Sequence, residues 1–373
     1  MSALYFLLLF LISSSHGWFI KKSKPDCITK KSCVSCTSHK SWSGSSCRWC
    51  PIDGKCHAHG AVFTNPCSRS ENIVNKGSCS SIVTATYDNI LAYKMVYHAA
   101  VAYADDAAKY LSKAREVNTF RLSKQVTKSC PGNARCSGYT ALSHTERAIV
   151  IAFRGSETNS QVIYQSIKIL TSPKVSFQAG GRVQGYFNDA FVLIWNELKP
   201  AAYKLISTYP SYKVWVTSHS LGGAIASLAS TVIATEGKTT KTNLILYTFG
   251  QPRVGNYDYA LKHDRFVPIS FRVTHYRDPV VHLPTCKKVV PLVCYAYSGG
   301  PYHHGKEIFY HRESMTKYSS YKNCRGLPYN EDLGCSNKFS VWSKCLSPWG
   351  IKKCINDHHV YFGIRVGLWW KSQ

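Results

Sequence analysis

The sequence has few acidic residues, and it contains no apolar run long enough to cross a bilayer. Its 373 residues include 20 Asp and Glu against 46 Lys and Arg, which gives a formal net charge of +26. The leading apolar run, residues 3–12, is only ten residues long, about half of what a membrane-spanning helix needs. No later run is longer, so a transmembrane helix is not expected.

Two motif classes are missing as well. The chain has no Asn-x-Ser/Thr sequon, so N-glycosylation is not expected. Its basic residues are scattered, and no nucleic-acid-binding motif accompanies them, so nucleic acid is not an expected partner. A surface of this charge is attracted to anionic lipid or acidic polysaccharide, and an anionic membrane surface is the partner that we favour.

The N-terminus has the pattern of a secretory signal peptide. Small residues follow the apolar run 3–12, and cleavage is expected near Gly17, which assigns residues 1–17 to the signal. The alternative, a membrane anchor, requires a longer apolar run. Sixteen cysteines also favour an oxidising environment, so we predict a secreted, extracellular protein.

The cysteines divide into two groups of eight. The first group lies within residues 25–80, a stretch rich in Ser, Gly and Lys: Cys27, Cys33, Cys36, Cys47, Cys50, Cys56, Cys67 and Cys79. The second group is spread over the rest of the chain: Cys130, Cys136, Cys286, Cys294, Cys324, Cys335, Cys345 and Cys354. This division predicts disulfides within each part, although spacing alone leaves their connectivity open.

Residues 25–80 are predicted to form a separate cysteine-rich module. A segment this short buries little core and needs covalent staples. The pairs Cys33-x-x-Cys36 and Cys47-x-x-Cys50 are compatible with a zinc site, but the predicted secretion favours disulfides. The run resembles the plexin–semaphorin–integrin type of module, which implies binding of an unknown partner or a spacer role.

Beyond the module, apolar strands alternate with helices. Continuous apolar runs at residues 147–153, 213–217, 243–249 and 269–276 predict buried strands. Helices are predicted from residue 87 to about residue 103 and over residues 187–207, and a short amphipathic helix over residues 158–170. This alternation predicts an α/β domain with a mainly parallel central sheet.

Residues 213–230 have the pattern of a nucleophile elbow, in which a strand, a sharp turn and a helix present a serine. The turn is Ser218-His219-Ser220-Leu221-Gly222-Gly223, with Ser220 at its tip. The usual pattern is Gly-x-Ser-x-Gly, and Ser218 replaces its first glycine. Ser156 and Asp278 also follow predicted strands, and in parallel sheets reacting groups lie beyond the carboxyl ends of strands.

Residues 87–367 resemble the fungal-type (class 3) lipases in five motifs that occur in family order. These are IAFRGS (151–156), SHSLGG (218–223), YTFGQPRVGN (247–256), RDPVVHLP (277–284) and DHxxYFG (357–363). The resemblance implies an α/β-hydrolase fold over residues 87–373, and the cysteine-rich module suggests a secreted, nematode-like member. The resemblance to these lipases also implies acyl-ester hydrolysis, which needs a nucleophile, a general base and a group that orients the base.

The residues and the resemblance together assign the candidate site. Ser220 is the expected nucleophile, Asp278 the orienting carboxylate and His358 the base, in the chain order of the α/β-hydrolases. The family pattern places the base at His358 and not at the adjacent His359. The resemblance further implies an oxyanion hole formed by the backbone N–H groups of Ser156 and Leu221, with help from the Ser156 hydroxyl. His219, His282 and His304 are the remaining histidines that we considered, and a structural role is expected for each.

The predicted substrate is a lipid ester at a lipid–water interface, namely triacylglycerol or a related glyceride. Two alternatives remain open: a phospholipase A1 acting on anionic membranes, and a non-catalytic lipid-binding or matrix protein that retains the fold. Residues 157–170 align with the family's mobile lid, although the tryptophan that relatives often have there is absent. A serine triad requires no metal or other cofactor, and none is expected.

Overall fold

The computed structural model describes residues 26–50, 54–61, 64–65, 67, 72–81, 83, 85–130, 134–156, 173–286, 288–290, 293–294, 299–326, 330–339, 345 and 347–373. The predicted signal peptide (1–17) and the predicted lid (157–170) lie outside these residues. The chain divides into two compact units, Met1–Cys79 and Ser80–Gln373. Among the described helices, none has the length and apolarity that a membrane crossing requires.

The N-terminal unit has little regular structure and is held by disulfides. It contains the short helix α1 (Cys33–Thr37) and an antiparallel pair of strands, β1 (Arg48–Cys50) and β2 (Lys55–His57). All eight of its cysteines are paired: Cys27–Cys47, Cys33–Cys79, Cys36–Cys56 and Cys50–Cys67. The four cysteines of the two Cys-x-x-Cys pairs are therefore all bonded to other cysteines, and they do not form a zinc site.

The second unit contains the remaining strands and helices. Its strands are β3 (Arg121–Cys130), β4 (Ala134–Ser143), β5 (Ala148–Phe153), β6 (Lys174–Ser176), β7 (Arg182–Gln184), β8 (Lys213–His219), β9 (Leu244–Phe249), β10 (Gly255–Asn256), β11 (Ser270–His275), β12 (Lys288–Val290), β13 (Val293–Cys294), β14 (Pro301–Tyr302), β15 (Lys306–Tyr310), β16 (Lys322–Asn323), β17 (Val360–Tyr361) and β18 (Ile364–Arg365). Its helices are α2 (Asn89–Val101), α3 (Ala107–Lys113), α4 (Gly185–Thr208), α5 (Leu221–Thr235), α6 (Tyr257–Phe266) and α7 (Pro348–His359). Short 3₁₀ turns occur in both units. Cys27–Thr29 lies in the N-terminal unit, Lys76–Ser81 crosses the boundary between the units, and the second unit contains Val280–His282, Ser336–Lys338 and Trp369–Ser372.

Eight of the described strands form one sheet in the order β16–β15–β11–β9–β8–β5–β4–β3. The five strands from β15 to β5 run parallel, and β16, β4 and β3 are antiparallel additions at the two edges. The predicted mainly parallel sheet is confirmed. Of the eight strands in this sheet, β3, β4, β15 and β16 were not predicted from the sequence.

Helices cover both faces of the sheet, and alternate strand residues point to opposite faces. On β5, Ile149 and Ile151 contribute to the apolar cluster that includes α4 and α5, whereas Val150 packs in the cluster that includes α2. Every residue of β5 is buried, as expected for a central strand between two helical layers. The arrangement fixes the carboxyl ends of the parallel strands, where the candidate site lies.

The second cysteine group is also paired within its own unit. The disulfides are Cys130–Cys136, Cys286–Cys294, Cys324–Cys335 and Cys345–Cys354. Each closes a short loop of 6 to 11 residues in sequence separation. The prediction that cysteines pair within each part is confirmed, and the connectivity that the sequence left open is now defined.

Candidate active site

Ser220 lies at the sharp turn between β8 and α5. Its backbone has φ 59° and ψ −133°, a conformation that costs energy for any residue with a β-carbon. The Ser220 N–H donates to the Phe249 carbonyl at 2.9 Å, and the Ser220 carbonyl accepts from Gly223 N–H at 2.9 Å. These bonds hold the turn in its strained form and position the hydroxyl above the end of the sheet, as in a nucleophile elbow.

Ser218 occupies the position of the missing first glycine without disturbing the turn. Its hydroxyl donates to the carbonyl of Phe153, the last residue of the neighbouring strand β5. A β-carbon on Gly222 would overlap the Ser218 hydroxyl and lie 2.7 Å from the Phe153 carbonyl oxygen. The second glycine of the motif is therefore required, whereas the first tolerates a serine because its hydroxyl has a buried acceptor.

The structure brings Ser220, His358 and Asp278 into a continuous hydrogen-bonded chain. His358 Nε2 lies 2.9 Å from Ser220 Oγ, and His358 Nδ1 lies 2.9 Å from each carboxylate oxygen of Asp278. An ionised carboxylate only accepts hydrogen bonds, so Nδ1 carries the proton and Nε2 accepts from the serine hydroxyl. Three residues separated by 58 and 80 positions in the sequence thus form one proton-transfer geometry.

The Asp278 carboxylate is buried and remains ionised. Burial alone would raise its pKa, but the electrostatic interaction with His358 and hydrogen bonds from His358, Tyr361 and Val280 outweigh this and lower the pKa to about 2. Tyr361 donates its hydroxyl to Oδ2 at 2.7 Å, and the Val280 N–H donates to Oδ1 at 2.8 Å. The carboxylate therefore has a fixed orientation toward the imidazole.

Gly250, the first residue after β9, lies directly against this carboxylate–imidazole pair. Its φ is +60°, and a β-carbon there would lie 2.7 Å from Asp278 Oδ2 and 2.9 Å from His358 Nδ1. Real β-carbons do not approach other atoms this closely. The position excludes every side chain, whereas in the sequence Gly250 is one residue of the motif at 247–256.

A second hydrogen-bonded chain links the elbow to the base from behind. His219 Nε2 lies 2.8 Å from the His358 carbonyl oxygen, and His219 Nδ1 lies 2.8 Å from the Tyr103 hydroxyl. The carbonyl requires a proton on Nε2, so Nδ1 accepts from Tyr103, whose oxygen accepts the Gly155 N–H. Burial, followed by the nearby His358, keeps the pKa of His219 well below its usual value. A neutral His219 thus connects the backbones beside Ser156, Ser220 and His358.

The other histidines that we considered do not contact Ser220. The His359 ring lies 5.8 Å from the His358 ring, and burial, followed by His358 and Arg365, lowers its pKa to about 3. His304 bonds to Ser227 at 2.8 Å in the core behind the elbow. Burial and the charge of Arg253 lower the pKa of His282 to about 4.

The two candidate oxyanion-hole residues are Leu221, which directly follows the serine, and Ser156, which lies three residues after the end of β5. Leu221 is the first residue of α5, where backbone N–H groups have no partner within the helix. Ser156 follows Gly155, whose backbone is so close to the elbow that a β-carbon would lie 2.6 Å from the His219 carbonyl oxygen. Arg154 is directed away into an ion pair with Asp105, with 3.6 Å between Nη1 and Oδ1.

The residues described around the site give no sign of a metal centre. Within the described part of the chain, the two groups that bring three potential ligand side chains together are Cys27, Cys47 and Cys56, and Glu307, Cys324 and Cys335. Every cysteine in them belongs to a disulfide, and a disulfide sulfur is not the thiolate that binds metals.

The chain is similar to known lipases in sequence and in structure. Residues 150–288 match the family model described as Lipase (class 3). Lipase ZK262.3 of Caenorhabditis elegans is 33% identical over 296 residues, which cover 76% of this chain and 81% of that protein. The secreted mono- and diacylglycerol lipase A of Penicillium cyclopium is 32% identical over 148 residues, covering 40% and 47% of the two chains.

Among solved structures, the triacylglyceride lipase of Rhizomucor miehei superposes with a TM-score of 0.58. It is 28% identical and covers 76% of this chain and 98% of that one. The α/β-hydrolase fold predicted from the sequence is thereby confirmed.

Proposed function

Because this chain belongs to the class 3 lipase family and is a carboxylic ester hydrolase, we propose that it is a secreted serine lipase that cleaves acyl esters of glycerides. Ser220 is the nucleophile, His358 the general base and acid, and Asp278 the group that orients the imidazole. The observation that carries this proposal is the unbroken chain from the Asp278 carboxylate through His358 to the Ser220 hydroxyl, with a distance of 2.9 Å at each step.

The reaction follows from this geometry in two acyl-transfer steps. His358 Nε2 removes the Ser220 proton while Oγ attacks the ester carbonyl, and the resulting imidazolium then protonates the departing alkoxide. A water molecule, deprotonated by the same Nε2, next attacks the acyl-enzyme; the bond between the acyl carbon and Ser220 Oγ breaks, the imidazolium returns the proton to Oγ, and the fatty acid is released. Asp278 remains ionised throughout and stabilises the imidazolium formed in each step.

Each tetrahedral intermediate has an oxyanion that needs preorganised donors. The backbone N–H groups of Ser156 and Leu221 are the donors that we assign. Leu221 is the first residue of α5, and Ser156 follows Gly155, whose backbone packs on the elbow. Removal of one such donor typically lowers kcat by about 10²- to 10³-fold. The Ser156 hydroxyl is assigned as an additional donor.

The proposed substrate is an acylglycerol presented at a lipid–water interface. The similar Penicillium protein is named a mono- and diacylglycerol lipase, and the Rhizomucor structure is described as a triacylglyceride lipase. The net charge of +26 favours an anionic interface and keeps phospholipase A1 activity as the second candidate. The eight described disulfides support an extracellular location, and the proposed domains are a cleaved signal (1–17), a cysteine-rich module (25–80) and a lipase domain (87–373).

The test is fatty-acid release by the purified, oxidised protein from emulsified triolein, from diolein and from phosphatidylglycerol vesicles. We expect the acylglycerols to be hydrolysed faster than the phospholipid, and diethyl p-nitrophenyl phosphate to modify Ser220, as located by mass spectrometry. Faster hydrolysis of phosphatidylglycerol would replace the lipase assignment with phospholipase A1. Absence of turnover on all three substrates, together with an unmodified Ser220, would support the non-catalytic alternative.

Replacing Gly250 with alanine is expected to lower kcat by about 100-fold, because the new methyl group forces Asp278 and His358 apart and misplacement by ~1 Å costs about this much. Gly237→Ala is the matched control. Gly237 also has a positive φ, +66°, but its β-carbon would meet no atom within 4 Å. Both variants have a similar backbone strain, so an equal loss of kcat in the two would contradict a local effect on the triad. Steady-state kinetics on p-nitrophenyl butyrate provides the measurement.

Replacing Tyr103 with phenylalanine is expected to lower kcat about tenfold with little change in KM. The variant leaves His219 Nδ1 and the Gly155 N–H without a partner, and a buried unsatisfied group costs about 1–3 kcal/mol. Tyr139→Phe is the control, because the buried Tyr139 hydroxyl bonds to His98 Nδ1 at 2.9 Å and contacts no triad residue. We expect both variants to lower Tm and only Tyr103→Phe to lower kcat. An equal loss of kcat would mean that Tyr103 acts through stability alone.

A further inference from the structure

The N-terminal unit presents large apolar side chains to solvent. Trp42 is 82% exposed, and Ile28, Val34 and Val74 in the same unit are also exposed. Tryptophan is a large apolar side chain that folded proteins normally bury or place at interfaces. Four of the eight exposed large apolar side chains in the described part of the molecule lie in its smaller unit, and Trp42 is the largest of the four.

The turn that carries Trp42 is fixed. Ser41 N–H donates to the Ser45 carbonyl at 2.7 Å, Gly44 N–H donates to the Ser41 carbonyl at 2.9 Å, and the buried Ser41 hydroxyl donates to the Ser45 carbonyl at 3.0 Å. Disulfides at Cys36 and Cys47 enclose the segment on both sides. The indole therefore projects from a preorganised turn, and docking through it requires little ordering of the backbone.

The unit that carries Trp42 is basic. Residues 26–79 contain seven basic residues against three acidic ones, Asp26, Asp53 and Glu71; the basic residues are Lys30, Lys31, Lys40, Arg48, Lys55, Arg69 and Lys76. Lys40 is exposed and pairs through its backbone with Ser46 at the base of the turn. An exposed tryptophan in a basic unit is the composition that binds at the headgroup level of anionic bilayers.

We propose that the Trp42 turn docks the protein on an anionic lipid surface, with the indole in the headgroup region and the lysines near the lipid phosphates. The partner is the lipid surface and not a second protein, because the unit has an excess of positive charge and its largest exposed apolar side chain is a tryptophan on a turn. The docking does not depend on catalysis, so it is measured with a protein that cannot turn over lipid.

The experiment uses the full, oxidised chain carrying Ser220→Ala and sucrose-loaded vesicles of phosphatidylcholine with or without 30% phosphatidylglycerol. We expect binding to the anionic vesicles, a reduction of about tenfold in the partition coefficient with Trp42→Ala, and a smaller reduction with Lys40→Glu. Raising the salt concentration to about 1 M should weaken binding, because the Debye length then falls to about 3 Å. Tyr318→Ala is the matched control, since Tyr318 is 85% exposed in the other unit, and its partition coefficient should change by less than twofold.

Two results would overturn this proposal. The first is an unchanged partition coefficient with Trp42→Ala in a protein whose disulfides and Tm match those of its parent. The second is equal binding to neutral and anionic vesicles. Because all variants carry Ser220→Ala, neither result bears on the proposed lipase chemistry, which is tested separately by fatty-acid release.

Discussion

Replacing Ser220 or His358 with alanine is expected to lower kcat by roughly 10⁴- to 10⁶-fold on any ester substrate. Without the hydroxyl there is no acyl-enzyme, and without the imidazole the proton of Ser220 loses the acceptor that the structure describes for it, His358 Nε2. The two residues act as one unit, so the double variant should be about as inactive as either single variant and not multiplicatively worse. Turnover of p-nitrophenyl butyrate, with active protein excluded by titration, measures all three.

His359→Ala is the control for this prediction. His359 is adjacent to His358 and is also a buried histidine, but it has no described contact with Ser220. We expect the variant to keep most of its kcat and to lose mainly stability, seen as a lower Tm. Retention of activity by His358→Ala together with its loss in His359→Ala would show that the base had been assigned one residue too early.

The sequence predicted those parts of the fold in which burial and periodicity agree. Strands β5, β8, β9 and β11 were found because central parallel strands are apolar on both faces. Strand β3 was missed because it lies at the sheet edge and its residues are mostly exposed and polar. The short strand β15 was missed because it begins with two charged residues, Lys306 and Glu307. Glu307 is nevertheless buried, and its carboxylate accepts a hydrogen bond from the Thr274 hydroxyl. This contact has no signature in the sequence.

At the site, the sequence identified residues whose chemistry is explicit and missed those that act by contact. Ser220, Asp278 and His358 stand at strand ends or in family motifs, so their types and order were informative. In the sequence, Gly250 is one residue of the family motif at 247–256 and Tyr103 lies at the end of a predicted helix, and neither pattern assigns a role to them. Their importance depends on the atoms that they approach, and those atoms belong to residues 28 to 116 positions away in the chain. Such distances are set by the packing of α2 and β9 and not by local sequence.

Replacing Asp278 with asparagine is expected to lower kcat by about 10⁴-fold while leaving the fold intact. An amide in this position offers an N–H to His358 Nδ1, which then has to accept, and the proton moves to Nε2. An imidazole protonated at Nε2 cannot accept the proton of Ser220. Tyr361 donates to the same carboxylate at 2.7 Å, so Tyr361→Phe should give a smaller loss, of about tenfold or less.

The pH dependence separates this orienting role from a titration of Asp278 itself. A carboxyl whose pKa is lowered to about 2 in the folded protein contributes stability that is present above its ordinary pKa and is lost as the pH falls through about 2. Asp278 is therefore charged throughout an assay between about pH 5 and pH 9, and its protonation makes no contribution to the fall of wild-type activity in mild acid. The ratio of the wild-type kcat to the kcat of Asp278→Asn should accordingly be large both at pH 5 and at pH 8.

Asp264→Asn serves as the control for removal of a buried carboxyl group. The Asp264 carboxylate accepts hydrogen bonds from Gly305 N–H at 2.6 Å and from Asn330 Nδ2 at 2.9 Å, and none of its described contacts includes a triad residue. This variant should lose stability with a change in kcat of less than about threefold. Circular dichroism with kcat measured at both pH values distinguishes the two variants, and a comparable loss of kcat in Asp264→Asn would argue against a specific orienting role for Asp278.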